Sequence, residues 1–551
     1  MKMMHPLLTA IVGFACGVFI APRPAQAWDL STTHAALLDE AVVRSALHRN
    51  LMDASGLRRG LFSPLRIDAA RLDDRQRQLF LHAQRRVHAD SGARALGGPG
   101  SCPGADAPPQ TRRFCVEKDL WELSAIGWLR LGLFAELTPS SRQRRHFLDA
   151  TDPHAKAWRD DALSDARFRF RQTRSNGASF ASFFSPTPGA GQAATVWAWL
   201  EDKEDALAPL RMYEHLAASH LAVTANERDH HLAVALVCAG ALLHVLQDLA
   251  VPAHAHGDAA AFFSPLSDAR GDRGLPFQEF VRIAYGRGNL PLGGHAAGVV
   301  TGAPLADSLR DHVFGDDRWE GPAAVARYRF LSESRLPAAQ SLQADESAEE
   351  IAAFLLAQTE LPAAAASGAA LAPWPSPRGY VYDRHARALM AFVDSGDGEY
   401  QFYLDERSYR MQAEVLLPLA IQVSRSVLDL LFPPWPTLPG ATATTGPPLA
   451  VSIPAAWTGA RLHVAQESAE GQRAFATPVR LVSGQQPIPD GLERDRPTGG
   501  RTILIVEAKR AGGEPYLAER IVGQSPPVPP REDDRLRPGE AKPLVRSTRP
   551  E

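Results

Sequence analysis

The segment LLHVLQDLAVPAH occupies residues 242–254 and lies at the end of a long apolar run. His244 and Asp248 are four residues apart, so a helix places both side chains on one face. The rest of this helix is nearly all Ala, Leu and Val, which predicts that the face is buried. Pro252 ends the helix, and His254 follows within reach of the same point.

Two interpretations of these residues are open. A buried carboxylate is costly unless it is paired or bound to a metal, and a set of two histidines and one carboxylate is a common zinc site. The alternative is a hydrogen-bonded pair of His244 and Asp248 in the core, with His254 as an ordinary loop residue. The segment alone does not separate these two interpretations.

The chain around this segment has a helical pattern up to about residue 434. Apolar residues at i, i+3, i+4 and i+7 predict helices over residues 35–51, 121–137, 205–224, 231–250 and 413–432. Long stretches rich in Gly, Pro, Ser and Asp separate them and predict loops. The expected fold class is therefore mainly α, with a multi-helix body.

The pattern changes at residues 433–436, which read PPWP. Short runs rich in β-forming residues follow and alternate with turns, which predicts a small all-β, sandwich-like domain over residues 445–523. Residues 524–551 are rich in Pro and charge and predict a disordered tail. The chain thus divides into a helical part, a β-rich part and a tail.

The first 27 residues have the features of a signal peptide. Lys2 precedes an apolar run, and residues 25–27 read AQA, an A-x-A cleavage site. We expect export to the periplasm or to the outside of the cell. Cleavage makes Trp28 the first residue, and a free α-amino group with a pKa of about 8 can lose its proton and bind a cation. His34 follows within reach of it.

Charge and cysteines limit the class of protein further. The net charge is −3, and without a run of Lys or Arg the chain has no electrostatic footprint for duplex nucleic acid.

An exported chain can keep disulfides, and Cys102 and Cys115 flank a Gly/Pro-rich stretch that one disulfide would close. Cys238 lies in an apolar run and is expected to be a buried free thiol.

These segments together resemble the superfamily of secreted zinc-dependent phospholipases C and single-strand-specific nucleases. Members begin with a Trp that binds zinc through its amine and carbonyl, followed by an early His, a His in an H-F-x-D segment, and an H-x-x-x-D-x-x-x-P-x-H helix end. This chain carries matching residues in that order, namely Trp28, His34, His146 with Asp149, His244, Asp248 and His254. The resemblance implies a helical phosphodiesterase-like domain over residues 28–435 that binds two or three zinc ions.

The chain departs from the family pattern at two metal ligands. The family has an Asp ligand before the H-F-x-D segment, where this chain has Leu137 with Glu136 beside it. The resemblance makes Glu136 a candidate ligand and a candidate catalytic group that orients or deprotonates water; a solvated acid at a helix end is the alternative. The family's third zinc site also lacks its expected residues, and Asp258 and Glu279 are the candidate replacements.

The resemblance implies a secreted phosphodiester hydrolase in which Asp248 bridges two zinc ions. The acidic pI and the absence of a basic run favour a phospholipid-type substrate, with contact to a membrane surface. Two alternatives stay open. One is a hydrolase acting on single-stranded nucleic acid or nucleotides. The other is a catalytically weakened, metal-stabilised binding protein of the cell envelope, in which the β-rich domain binds the partner. The sequence does not determine the oligomeric state.

Overall fold

A computed structural model gives the fold of the protein. It describes residues 33–53, 55–90, 115–117, 120–138, 142, 146–148, 196–200, 202–257, 277–286, 308–316, 319–332, 378–382, 389–394, 401–436, 450–487 and 499–524. The predicted signal peptide lies outside these residues, and so does the predicted tail apart from Gln524.

The described part of the body is mainly helical, as the apolar periodicity predicts. Its helices are, in chain order, α1 (Ala35–Arg44), α2 (Leu47–Asp53), α3 (Asp74–Asp90), α4 (Ala125–Glu136), α5 (Val196–Leu200), α6 (Pro209–Leu221), α7 (Ala225–Asp248), α8 (Pro252–Ala255), α9 (Phe277–Gly286), α10 (Leu309–Phe314), α11 (Pro322–Arg329) and α12 (Glu406–Leu431).

Helix α7 forms the centre of the body. A capping box begins it: the Thr224 hydroxyl accepts a hydrogen bond from the Glu227 N–H, and the Glu227 carboxylate accepts one from the Thr224 N–H. Every residue from Leu232 to Asp248 is buried. Length and composition would also suit a membrane span, but 89% of the apolar window is buried inside the protein. Its apolar composition is therefore that of a core helix.

Helices α4 and α7 cross at two glycines. A Cβ atom on Gly132 would lie 2.1 Å from the carbonyl oxygen of Val237, and one on Gly240 would lie 2.0 Å from that of Leu129. No side chain fits at either position, so the two backbones are in direct contact. This crossing fixes helix α4, which ends at Glu136, against the central helix.

The predicted helix over residues 121–137 is wrong at its start, where the structure has a strand of a small antiparallel sheet. Strands β1 (Pro64–Asp68), β2 (Cys115–Glu117) and β3 (Leu120–Ser124) pair in the order β1-β3-β2. Helix α4 begins only at Ala125, because Ser124 is extended and its hydroxyl accepts a hydrogen bond from the Gly127 N–H. The prediction was wrong here because Trp121 lies four residues before Ala125 and seven before Trp128, and this spacing of buried residues is also that of a helix face.

Further strands interrupt the region that the sequence predicted as helical. A two-stranded sheet joins β4 (Gly315–Asp316) to β5 (Trp319–Glu320). A three-stranded antiparallel sheet has the order β6 (Arg378–Tyr382), β7 (Leu389–Asp394) and β8 (Gln401–Tyr403). The body is therefore mainly helical rather than all-helical.

The C-terminal region consists of antiparallel sheets, as predicted. Its strands are β9 (Ala450–Ile453), β10 (Thr458–Glu467), β11 (Arg473–Phe475), β12 (Val479–Arg480), β13 (Gly484–Pro487), β14 (Arg501–Lys509) and β15 (Pro515–Gln524). One sheet has the strand order β11-β10-β14-β15, and β12 also pairs with β10 in this sheet. A second sheet consists of β9 and β13. Both sheets contribute to one apolar core, in which Val451 and Ile453 of β9 meet Leu504 and Val506 of β14.

The β region packs against the start of helix α7. Arg473 donates to the carbonyl oxygen of His220 at 2.8 Å and to Glu519 at 2.7 Å, and Arg228 of α7 pairs with Glu467 at 3.0 Å. Arg228 and Asp248 lie twenty residues apart on the helix, which is about 30 Å at 1.5 Å per residue. The β region thus contacts the end of α7 that is far from Asp248.

Candidate metal centre

The C-terminal end of helix α7 presents two polar side chains on one buried face. His244 Nε2 lies 3.2 Å from Asp248 Oδ2, as the four-residue spacing predicts. The chain then turns at residues 249–251, and the short helix α8 returns His254 to the same point. His254 Nε2 lies 3.9 Å from Asp248 Oδ2. The structure therefore brings together the three residues that the sequence singled out in this segment.

His34 reaches this point from the start of helix α1. Its Nε2 lies 3.1 Å from Asp248 Oδ1, and its ring stacks on the His244 ring with centroids 4.0 Å apart. On the other side, Nδ1 lies 2.7 Å from Gln247 Oε1, and the Gln247 amide donates to Ser424 Oγ at 3.3 Å. Gln247 thereby holds the His34 ring with Nε2 directed at Asp248.

His146 contacts the other carboxylate oxygen of Asp248. Its Nδ1 lies 2.5 Å from Asp248 Oδ2. Two contacts hold its segment in place: the Leu148 N–H donates to the His254 carbonyl at 3.0 Å, and the Phe147 ring stacks on the His254 ring with centroids 4.2 Å apart. Residues 146–148 therefore pack directly on the segment that carries His254.

The histidines form two groups that share Asp248. One contains His34, His244 and Asp248, and the other contains His146, Asp248 and His254. Within each group the possible ligand atoms all lie within 4.8 Å of one another, and every residue is buried. These groups can hold a metal ion each, because imidazole nitrogens and carboxylate oxygens are first-row metal ligands.

Several polar atoms of these groups lack hydrogen bonds. Among the described residues, His34 Nε2, both ring nitrogens of His244 and Asp248 Oδ1 are buried and have no hydrogen-bond partner. The two atoms His34 Nε2 and Asp248 Oδ1 are only 3.1 Å apart, so they approach each other without hydrogen-bond geometry. Buried polar atoms without hydrogen bonds are rare and costly, and a bound cation would satisfy them. The residues present thus fit a metal better than a polar core pair.

The electrostatics of the site suit a cation. Burial lowers the pKa of His244 and of His254 to about 3, so both rings are neutral near pH 7. Burial would raise the pKa of Asp248, but the neighbouring His244 and the hydrogen bond with His146 outweigh this and hold it well below its usual value. Burial opposes a charge on His146, but its hydrogen bonds with Asp248 and Glu136 raise its pKa. Asp248 is thus an ionised carboxylate beside the neutral rings of His244 and His254, and these are the protonation states in which such groups bind metals.

Glu136 is completely buried and lies beside the centre. Its Oε1 is 3.5 Å from His146 Nε2, and both of its oxygens accept hydrogen bonds from Arg142. Arg142 also binds Asp205 through two hydrogen bonds. The alternative of a solvated helix-end acid is therefore wrong. Sequence reasoning missed Arg142 and Asp205, because nothing in their local pattern distinguishes them from other charged residues on loops.

Other predicted site residues lie elsewhere or outside the described residues. Glu279 is partly exposed on helix α9, binds Arg282 at 2.6 Å and belongs to neither ligand group of the described residues. Cys238 is a buried free thiol, as predicted, and burial raises its pKa. The structure does not describe Trp28, Asp149, Asp258, Cys102 or the side chain of Cys115, so the predictions on these residues stay predictions.

The chain was compared with protein-family models, with curated proteins and with solved structures, and none of them matched. The likeness to the phospholipase C and nuclease superfamily therefore rests on the order and spacing of the motifs in this chain.

Proposed function

We propose that the protein is an exported, zinc-dependent phosphodiester hydrolase of the phospholipase C and single-strand nuclease type. The observation that carries this proposal is the sharing of Asp248 by two buried groups of ligands. A carboxylate offers two oxygens, so one side chain can serve two ions, and paired metals are a recurring device of phosphodiester hydrolysis. The mostly helical body is also what the resemblance implies, whereas the β region lies outside the resemblance.

In this proposal His34, His244 and Asp248 hold one ion, and His146, His254 and Asp248 hold the other. Zinc fits best among common metals, since its protein ligands are histidine nitrogens, carboxylates and cysteines in sites of low coordination number. Bound zinc would lower the pKa of water and stabilise negative charge on a phosphoryl oxygen. The chain's own contribution is orientation: Gln247 fixes the His34 ring, and Phe147 fixes His254 by stacking.

A phospholipid-type diester at a membrane surface is the substrate class we favour, because the chain is slightly acidic and carries no basic run. The test compares mature protein that begins at Trp28 with protein that keeps one extra residue before it. The resemblance makes the α-amino group of Trp28 a further zinc ligand. We therefore expect about two zinc equivalents and hydrolysis of a chromogenic phosphodiester in the mature protein, and less of both when an extra residue displaces this amine. Absence of zinc from both proteins would refute the proposal.

One observation favours the second candidate, a metal-stabilised binding protein. The side chains of all five proposed ligands in the described residues are at most 1% exposed. Complete burial also suits a metal that only stabilises the fold. This candidate is supported over the hydrolase if the protein binds zinc but hydrolyses no phosphocholine, phosphoethanolamine or nucleotide diester.

A further inference from the structure

Three charged side chains form a buried network behind the metal centre. Arg142 donates to both oxygens of Glu136, with Nε to Oε1 at 3.2 Å and Nη2 to Oε2 at 2.6 Å. The same guanidinium donates to both oxygens of Asp205, at 2.7 and 2.8 Å. Arg142 and Asp205 are each 8% exposed, and Glu136 is fully buried. Bidentate charge-assisted bonds of this kind fix the geometry of all three groups.

The network meets the metal centre at His146. The two nitrogens of this ring face two different carboxylates: Nδ1 lies 2.5 Å from Asp248 Oδ2, and Nε2 lies 3.5 Å from Glu136 Oε1. A histidine that binds a metal through one nitrogen usually donates its other N–H to a carboxylate or carbonyl, which fixes the tautomer and the ring. Glu136 lies where such an outer carboxylate belongs.

We propose that Glu136 is the outer hydrogen-bond partner of His146 and not a metal ligand, and that Arg142 is a positioning residue that keeps it there. Both Glu136 oxygens are held by Arg142, so rotation of the carboxylate towards an ion would break charge-assisted bonds in a buried place. Asp205 anchors the far side of the guanidinium, so Arg142 cannot easily follow such a rotation. This inference rests on the proposed metal centre but not on the proposed turnover.

Charge supports the same assignment. Two carboxylates and one guanidinium sum to a single negative charge when all three are ionised. This negative charge lies next to Nε2 of His146 and favours the tautomer that carries its proton on Nε2. Nδ1 then has no proton and is the nitrogen that binds the metal. A carboxylate held in this way strengthens metal binding without entering the coordination sphere.

The decisive experiment uses Glu136→Gln in the full mature protein loaded with Co²⁺, whose visible spectrum reports the number and type of its ligands. Glutamine keeps an acceptor oxygen for the His146 N–H and for Arg142. We expect unchanged band positions and an unchanged number of bound ions, with metal affinity lower by about 10–100-fold. Loss of one metal equivalent or a shift of the bands would overturn the proposal, because either result would make Glu136 a ligand.

The role of Arg142 is tested by a double variant, Arg142→Met with Asp205→Asn, which keeps the summed charge of the network at −1. In this variant Arg142 no longer holds Glu136, so the carboxylate should turn towards the ion and shift the cobalt bands. Adding Glu136→Gln to the double variant should reverse this shift. Circular dichroism checks the fold first; if the double variant does not fold, Arg142→Lys is measured against the same expectation. An unchanged spectrum in a folded Arg142 variant would refute the positioning role.

The outcomes separate this inference from the proposed function. Wild-type protein that binds two ions but hydrolyses no phosphodiester would count against the hydrolase and leave the assignment of Glu136 intact. If the wild-type protein hydrolyses phosphodiesters but Glu136→Gln binds one metal ion fewer, the assignment of Glu136 is refuted and the proposed function is not affected. Wild-type protein that binds no metal would remove both.

Discussion

Gly132 of helix α4 and Gly240 of helix α7 meet backbone to backbone where the two helices cross. A Cβ atom built on Gly240 would lie 3.0 Å from Gly132 Cα and only 2.0 Å from the Leu129 carbonyl oxygen. The same central helix carries His244 and Asp248 one to two turns further on. The depth of this crossing therefore sets the position of helix α4 relative to the candidate metal centre.

We expect Gly132→Ala to lower the free energy of unfolding by about 1–3 kcal/mol, because backbone atoms cannot move aside for the added methyl group. Gly127→Ala is the matched control on the same helix, since its Cβ would meet side-chain atoms at 3.2 Å. Urea unfolding of both variants measures the difference. A Gly132→Ala protein as stable as Gly127→Ala would show that the helices do not cross at this distance.

Asp248→Asn should remove both metal ions, whereas His244→Ala and His254→Ala should each remove one. The reason is that the two ligand groups share Asp248 but not their histidines. Elemental analysis after dialysis gives the number of bound ions. Asp229→Asn, at the far end of the same helix, is the control and should keep the wild-type content. Retention of either ion by a folded Asp248→Asn protein would contradict a bridging role.

Gln247→Met should lower metal affinity by about 10–100-fold and leave the number of ions at saturation unchanged, because Gln247 orients His34 without being a ligand. Gln412→Met is the control: Gln412 is also fully buried, but it binds the carbonyl oxygen of Leu331. Competition with a coloured chelator measures the affinities. Equal affinities in the two variants would argue against a role of Gln247 at the metal.

The contact between the β region and the body should weaken in acid through Glu519. Burial would raise its pKa, but Arg473 and His220 outweigh this and lower it to about 2. An unfolded Glu has a pKa of about 4.3, so the folded state holds this proton less tightly than the unfolded state. The contribution of Glu519 to stability is thus complete above about pH 5 and is lost as the pH falls towards 2.

Glu519→Gln should therefore lose less stability than wild type between pH 6 and pH 3, as measured by urea unfolding at each pH. Glu214→Gln is the control, because Glu214 is exposed and forms an (i, i+3) pair with Arg211 on its own helix. Metal content should not change in Glu519→Gln, since this contact lies at the other end of helix α7. An acid response identical to that of wild type would mean that Glu519 is not held as an ion by Arg473.

Sequence patterns predicted the long elements better than their ends. The predicted helix over residues 413–432 belongs to α12, which begins seven residues earlier at Glu406, where Asp405 caps it. The predicted helix over residues 121–137 contains a strand at its start, because apolar spacing over five residues fits both kinds of structure. The caps at Ser124 and Asp405 are local contacts, but the pairing of β3 with β1 depends on residues distant in the sequence.

The sequence by itself determined which residues could meet at the centre and how two of them are related. The i, i+4 spacing of His244 and Asp248 and the turn at Pro252 are local, so helix geometry alone brings these side chains and His254 together. Only the tertiary structure decided the rest. His34 contacts Gln247 across 213 residues, His146 contacts Asp248 across 102, and Arg142 binds Asp205 across 63. Such contacts follow from how the helices pack, and no local spacing encodes them.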